Sequence, residues 1–208
     1  MMDEIKLYCF GESGNAYKAA LMLELCVVKW TPIWVDFFNG ETRSTEYRAT
    51  INEMGEVPVL VQGEKRLTQS GVILDYLSQV TGKFGPKNDD ERREILRWML
   101  FDNHKFTSYI ATLRYMIFLA RTGETPVTEF LRGRVLNSLK IVDRRLSHQD
   151  FLLGAGPTIA DFSLCGYLYF GEELPFALSD FKSVQNWLER IKGLPGWKHP
   201  YDLMPRGK

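Results

Sequence analysis

The sequence predicts an α/β N-terminal domain followed by an all-α C-terminal domain. Three observations predict it. The first 80 or so residues alternate short strand-like runs with helical ones in the order β-α-β-α-β-β-α. From Asp89 onward only helical periodicity is found. Between the two lies "KFGPKNDD", a stretch of glycine, proline and charge that reads as a linker. The expected domains are therefore residues 1–82 and 90–208.

The elements follow in order. "IKLYCF" (5–10) is short and alternating, as a strand is, and "GESGN" is a turn that opens a helix. "AYKAALMLELC" (16–26) has apolar residues at helical spacing. "WTPIWVDF" (30–37) is rich in aromatic and β-branched residues and reads as a second strand. The polar stretch 39–56 has turn residues at both ends and room for an irregular helix. "VPVLVQ" (57–62) and "KRLTQ" (65–69) flank Gly63-Glu64 as a tight hairpin. "SGVILDYLSQVTG" (70–82) is an amphipathic helix stopped by Gly82. Four helical segments are expected beyond the linker: 89–121, 126–147, one beginning near Thr158, and 181–193. "TIAD", Thr158 to Asp161, fits a capping box at the third of these, a structural device.

Composition narrows the function. The 208 residues carry 26 Lys and Arg against 26 Asp and Glu, so no electrostatic footprint for nucleic acid or an anionic membrane is present. No apolar run approaches the roughly 20 residues of a membrane span, and "MMDEIKLYCF" has no secretory pattern, so a cytoplasmic location is expected. Cys9, Cys26 and Cys165 are far apart and form no C-x-x-C; they read as small buried hydrophobes, with neither disulfide framework nor dithiol centre. His104, His148 and His199 have no acidic or cysteine partner at ligand spacing, and no metal site is expected.

Two features near residue 60 point to binding. Pro58 stands at the mouth of a strand, where it lacks an N–H for the ladder. One reading is a plain edge strand. The other is a cis Val57-Pro58 bond, which would leave the N–H and C=O of Val57 facing outward to pair with an extended peptide. Ser70 sits at the start of the third helix, where unpaired N–H groups and the positive dipole end favour a carboxylate. Gln69 beside it both donates and accepts, which suits an amino-acid head group; a plain serine cap is the alternative. Together they describe a receptor for a short peptide with a free α-carboxylate.

The element order, "NEMGEVPVL", "TQSGVILDYL", the helical second domain and "TIAD" resemble the soluble glutathione transferase family over essentially the whole chain. The resemblance implies a thioredoxin-like N-terminal domain with Pro58 cis, and glutathione as co-substrate without a metal. Val57 would pair through its backbone with the cysteinyl part, and Gln69 and Ser70 would hold the γ-glutamyl carboxylate and amine. It also implies a homodimer, in which an acidic side chain of the partner reaches that amine. Asp102 is the candidate by its position on the first long helix.

The implied reaction is conjugation of the glutathione thiolate to small apolar electrophiles. A free thiol with pKa near 8.5 must be shifted down about two units, roughly 2.7 kcal/mol. "GESGNAYK" resembles a bacterial subgroup whose serine donates to the sulfur with asparagine in support, here Ser13 and Asn15, although both could also be helix caps. Tyr8 and Cys9 are rivals, by analogy with branches that use tyrosine or cysteine. Glutathione-dependent disulfide reduction and a non-catalytic binding protein are the other functions weighed. Glu56 is a departure, since relatives often carry a base there to meet the glycyl carboxylate; Arg43 or Arg48 could substitute. The electrophile is expected between the domains, with no residue assigned.

Overall fold

The computed structural model describes residues 4–207. They form two compact units, one running up to Lys83 and resuming at Pro195, the other Phe84–Leu194.

The first unit is built on a four-stranded sheet in the order β2-β1-β3-β4. Strand β1 (Ile5–Cys9) leads into helix α1 (Gly14–Leu25), and β2 (Trp30–Trp34) returns parallel to β1. A short helix α2 (Thr45–Thr50) precedes β3 (Val59–Gln62), which runs antiparallel to β1. Strand β4 (Lys65–Thr68) pairs with β3 across Gly63-Glu64, and Gly63 takes the positive φ (57°) that so tight a turn demands. Helix α3 (Ser70–Thr81) stops at Gly82, which is left-handed at φ 66°.

Alternation along β1 buries Ile5, Leu7 and Cys9 and leaves Lys6 exposed and Tyr8 half-buried. Helix α1 is enclosed almost all round: Ala16, Tyr17, Ala19, Ala20, Leu21, Met22 and Leu23 are wholly inaccessible. Such a helix needs cover on several sides. It has β1 and α3 as neighbours, and the chain's C-terminal part supplies further cover.

The second unit is helical. It contains α4 (Asp89–Phe101), α5 (Ser108–Arg114), α6 (Pro126–Leu146), α7 (Ile159–Cys165) and α8 (Lys182–Lys192). The expected single helix over 89–121 is interrupted by π-helical turns at Asp102–Thr107 and Tyr115–Leu119. A π turn brings residues five apart onto one face. The Thr107 hydroxyl accordingly donates to Asp102 Oδ1 at 2.6 Å, and the Ser108 hydroxyl to the Asn103 carbonyl.

The tail differs from expectation. Residues 195–207 were expected to complete the helical domain, but they join the first unit, with a one-turn helix α9 (Pro200–Leu203) beside α1. The Tyr17 hydroxyl donates to the Lys198 carbonyl (2.8 Å), and the Gly11 N–H to that of Pro205 (2.7 Å). A Cβ on Gly11 would lie 2.6 Å from Arg206 Cγ, so this close approach needs glycine.

The capping box is present. Asp161 Oδ2 accepts from the Thr158 N–H (2.8 Å) and hydroxyl (3.0 Å), while Oδ1 accepts from the Leu152 N–H (2.9 Å) and the Trp187 indole (2.9 Å). The carboxyl is fully buried; burial pushes its pKa up, against the pull of the surrounding donors. Asp161→Ala would strand buried donors at about 1–3 kcal/mol each. The expected outcome is a loss of about 2–5 kcal/mol in urea unfolding; a loss below about 1 kcal/mol would show that the network braces little.

Candidate functional site

Sheet register gathers the expected residues at one end of the first unit. Ile33, Tyr8, Val59 and Thr68 form one row across the four strands. Beyond that row, on the same side, come the Phe10–Ser13 turn after β1, the Val57-Pro58 segment before β3, and Gln69-Ser70 after β4. Antiparallel pairing makes the beginning of β3 neighbour the ends of β1 and β4.

At the first position Ser13 is the N-cap of α1. Its Oγ accepts from the Ala16 N–H at 3.1 Å, and the residue is buried. The hydroxyl proton goes to no acceptor among the described residues, so it remains available as a donor. Asn15 in the first turn is half-buried, with its Oδ1 enclosed and without a donor among the described residues. Buried amide oxygens are seldom left so.

At the second position the Val57-Pro58 peptide is cis. Neither the N–H nor the C=O of Val57 has a hydrogen-bond partner among the described residues. The carbonyl just before it is held firmly: Glu56 O accepts from the Tyr47 hydroxyl (3.0 Å) and the Asn52 amide (2.9 Å). Burial, with smaller contributions from Glu41 and Tyr8, pushes the Tyr47 phenol well above its usual pKa, so it stays protonated and donating.

At the third position Gln69 is the N-terminal flank of α3, at φ 66°, ψ 118°, with no side-chain cap. The first helical bond is from the Ile73 N–H to the Gln69 carbonyl (3.1 Å). The N–H groups of Ser70, Gly71 and Val72 are therefore unclaimed among the described residues, and the positive end of the helix dipole is open to an anion. The Gln69 amide nitrogen donates to Glu56 Oε2 at 2.9 Å. That bond ties the helix mouth to the Val57 edge, so the structure brings these two expected features together.

Asp102 is corrected. It is wholly inaccessible, accepting from the hydroxyls of Thr107 and Ser163 at 2.6 Å each. Its carboxylate braces the π turn against α7 inside its own unit and cannot be offered to a partner. Glu56 too is placed otherwise than expected. Its carboxylate accepts from the Gln69 amide at the mouth of α3. Arg43 and Arg48 are exposed and enter no ion pair among the described residues. Cys9 is fully buried, and burial pushes its thiol up to about 12, which removes it as a thiolate at neutral pH.

An aromatic pocket was not foreseen. Strand β2 ends at Trp34, so Phe37 and Phe38 leave the sheet. Phe10 stacks on Phe37 (centroids 4.7 Å apart) and meets Phe38 edge-on (5.7 Å). With Trp34, Glu12 and Asp36 they line a cavity of about 170 Å³. The signal was present in "VDFFN", where adjacent phenylalanines cannot both face one side of a strand. Phe10 also accepts the Ser13 N–H at its carbonyl (3.1 Å), which puts the pocket beside the serine turn.

Comparison with known proteins shows the family. The profile for the glutathione S-transferase N-terminal domain matches residues 3–79, and that for the C-terminal domain matches residues 106–195. The chain belongs to the glutathione S-transferase family. A crystal structure of a possible glutathione S-transferase from Rhodopseudomonas palustris is 32% identical, with a TM-score of 0.88 and coverage of 94% of this chain and 97% of that one. Glutathione S-transferase F14 of Arabidopsis thaliana is 27% identical over 97% of this chain and 87% of its own. The disulfide-bond oxidoreductase YfcG of Escherichia coli is also 27% identical, over 92% and 91% respectively. The family's thioredoxin-like domain and helical domain are the two units described above.

All three cysteines are buried, and burial raises the Cys26 thiol as well as that of Cys9. Ellman's reagent at pH 7.5 should therefore find less than about one reactive thiol per native chain within minutes, and all three after denaturation in guanidinium. A fast-reacting native thiol would reopen cysteine as the sulfur-handling residue.

Proposed function

We propose that the protein is a glutathione transferase that binds glutathione at the Val57, Gln69 and Ser70 end of the first unit and adds its thiolate to small apolar electrophiles. The observation that carries this is the pairing of an unclaimed helix mouth with an unclaimed strand edge, tied by Gln69 to Glu56 at 2.9 Å. The γ-glutamyl carboxylate lies at the α3 N–H groups, and the Val57 backbone pairs with the cysteinyl residue next to cis Pro58. The thiol then meets Ser13, whose free proton stabilises the sulfur anion, with Asn15 in support. The proton lost by the thiol leaves to solvent, and the anion forms a C–S bond at the electrophilic carbon; with a chlorinated nitroaromatic the C–Cl bond breaks and chloride leaves. The aromatic pocket beside the Ser13 turn receives the electrophile. The working form is a homodimer, and Asp102 has no part in its site.

A second reading is favoured by the likeness to YfcG. The same thiolate attacks a disulfide, forming a mixed glutathione disulfide and expelling a thiolate. No protein cysteine is required. Turnover of hydroxyethyl disulfide compared with that of 1-chloro-2,4-dinitrobenzene decides between the two.

Ser13→Ala should lower kcat/KM for the chlorinated nitroaromatic by roughly 10- to 100-fold, the worth of one hydrogen bond to a charged group. It should also move the pH profile of kcat/KM upward by about 1–2 units. Loss of the cap alone costs about 1 kcal/mol of stability and leaves that profile in place. Ser13→Thr, which keeps the hydroxyl, should restore it. An unchanged profile in Ser13→Ala, with collapse in Tyr8→Phe, would transfer the role to Tyr8.

Phe37→Ala should raise KM for the apolar electrophile by about 3- to 10-fold, the loss of a buried aromatic contact, and leave KM for glutathione within about twofold. An effect on glutathione alone would remove the pocket from the electrophile's path.

A further inference from the structure

The Gln69 amide has two polar contacts, and both are with atoms that only accept. Its nitrogen lies 2.9 Å from Glu56 Oε2 and 3.3 Å from Met54 Sδ. A carboxylate and a thioether have no proton to give. The NH₂ end of the amide must therefore face them, and the orientation of the carboxamide is determined by its surroundings. What remains is Gln69 Oε1, an acceptor, which no donor reaches among the described residues. The backbone cannot compensate for a wrong orientation, since Gln69 is held at φ 66°, ψ 118° at the end of a helix. The Glu56 backbone is anchored, its carbonyl accepting from Tyr47 and Asn52, and its exposed side chain reaches Gln69 from there.

We propose that Glu56 is a positioning residue: it fixes Gln69 so that only the amide oxygen is offered to the ligand, and so makes the site selective for a peptide bearing a free α-ammonium next to its terminal carboxylate. This rests on the glutathione reading above. The helix mouth takes the carboxylate whatever else the ligand carries. The fixed Gln69 oxygen takes a donor, and a γ-glutamyl ammonium is such a donor. An unrestrained glutamine could present its NH₂ instead and accept ligands that lack the amine. Glu56 thus works on the amino end of the ligand, opposite to the glycyl end where a base would stand.

The test is calorimetric binding to the full chain of two thioether ligands: S-methylglutathione, and the analogue whose γ-glutamyl group is replaced by glutaryl. The analogue keeps the carboxylate and loses only the amine. The wild type should prefer the amine-bearing ligand by about 10-fold or more, as expected for a hydrogen bond to a charged group. In Glu56→Ala the preference should fall below about 3-fold, chiefly through weaker binding of S-methylglutathione. Glu56→Gln keeps an acceptor oxygen opposite Gln69 and should retain a preference above about 5-fold. Thermal melts of each variant confirm folding.

A purely structural role would weaken both ligands alike, and an unchanged ratio in Glu56→Ala overturns the proposal. Tighter binding of both ligands by Glu56→Ala also overturns it, because that is the mark of a carboxylate facing the glycyl end. Failure of the wild type to bind S-methylglutathione sinks the glutathione reading itself and is distinguished from these results by the absence of any wild-type affinity.

Discussion

Two buried donors converge on one carbonyl oxygen, that of Glu56, and the candidate site depends on that convergence. The Tyr47 hydroxyl and the Asn52 amide both point at it. Burial keeps the phenol protonated, so the donor persists across any physiological pH. With the carbonyl held, the next peptide unit is placed, and with it the unclaimed N–H and C=O of Val57. The Glu56 side chain springs from the same anchored residue and reaches Gln69. One pair of hydrogen bonds thus places both the unclaimed Val57 edge and the residue whose side chain bonds Gln69. A buried polar cluster that is fully satisfied stiffens what it holds, and here the stiffened element is the rim of a site.

The helix starts within this one protein are not all treated alike. Helices α2, α4 and α6 begin with Ser44, Asn88 and Thr125, whose side chains each accept a backbone N–H. Helix α1 does the same with Ser13, which like Ser44 accepts a backbone N–H and gives its own hydroxyl proton to no acceptor among the described residues. Helix α3 alone among these has a glutamine at the flank, makes no side-chain cap, and places that residue at positive φ. A non-glycine residue held there costs on the order of 1–3 kcal/mol. Leaving three N–H groups without protein acceptors adds to this, unless something else supplies the anion. Strain and an open dipole at one residue, next to an unpaired strand edge, are what a preformed carboxylate receptor requires.

Much of this was legible in the sequence. The order of elements followed from periodicity and turn residues, because alternation in "IKLYC" and the Gly63-Glu64 pair are local signals. Pro58, Gln69 and Ser70 stood out because each is awkward where it stands. What was hidden depends on contacts distant in sequence. The tail joins the first unit through Tyr17 and Gly11, which lie more than 180 residues before their partners. The π turns at Asp102–Thr107 and Tyr115–Leu119 change the angular step along the helix, so a side chain's direction can no longer be read from a 3.6 period. Asp102 was given a role by its position along the first long helix, and it points inward to Thr107 and Ser163 instead. Glu56 was read from its charge and position alone, and only the structure shows that its carboxylate accepts from the Gln69 amide.

The cysteines complete the chemical argument. Cys9 lies on β1, close in sequence to the Ser13 turn, yet it is sealed in the core with its thiol pushed up to about 12. Taking a thiolate into such surroundings would cost far more than any nearby donor returns. The described residues therefore surround the site with donors and acceptors and contribute no sulfur anion of their own. Ser13 has a proton to give, and the α3 mouth has N–H groups to give. The complement of that set is a ligand bringing its own sulfur at one end and its own carboxylate at the other, with enough backbone between them to pair with Val57. A cysteine held between a γ-linked glutamate and a glycine meets each of those demands, whether the thiolate then attacks carbon or another sulfur.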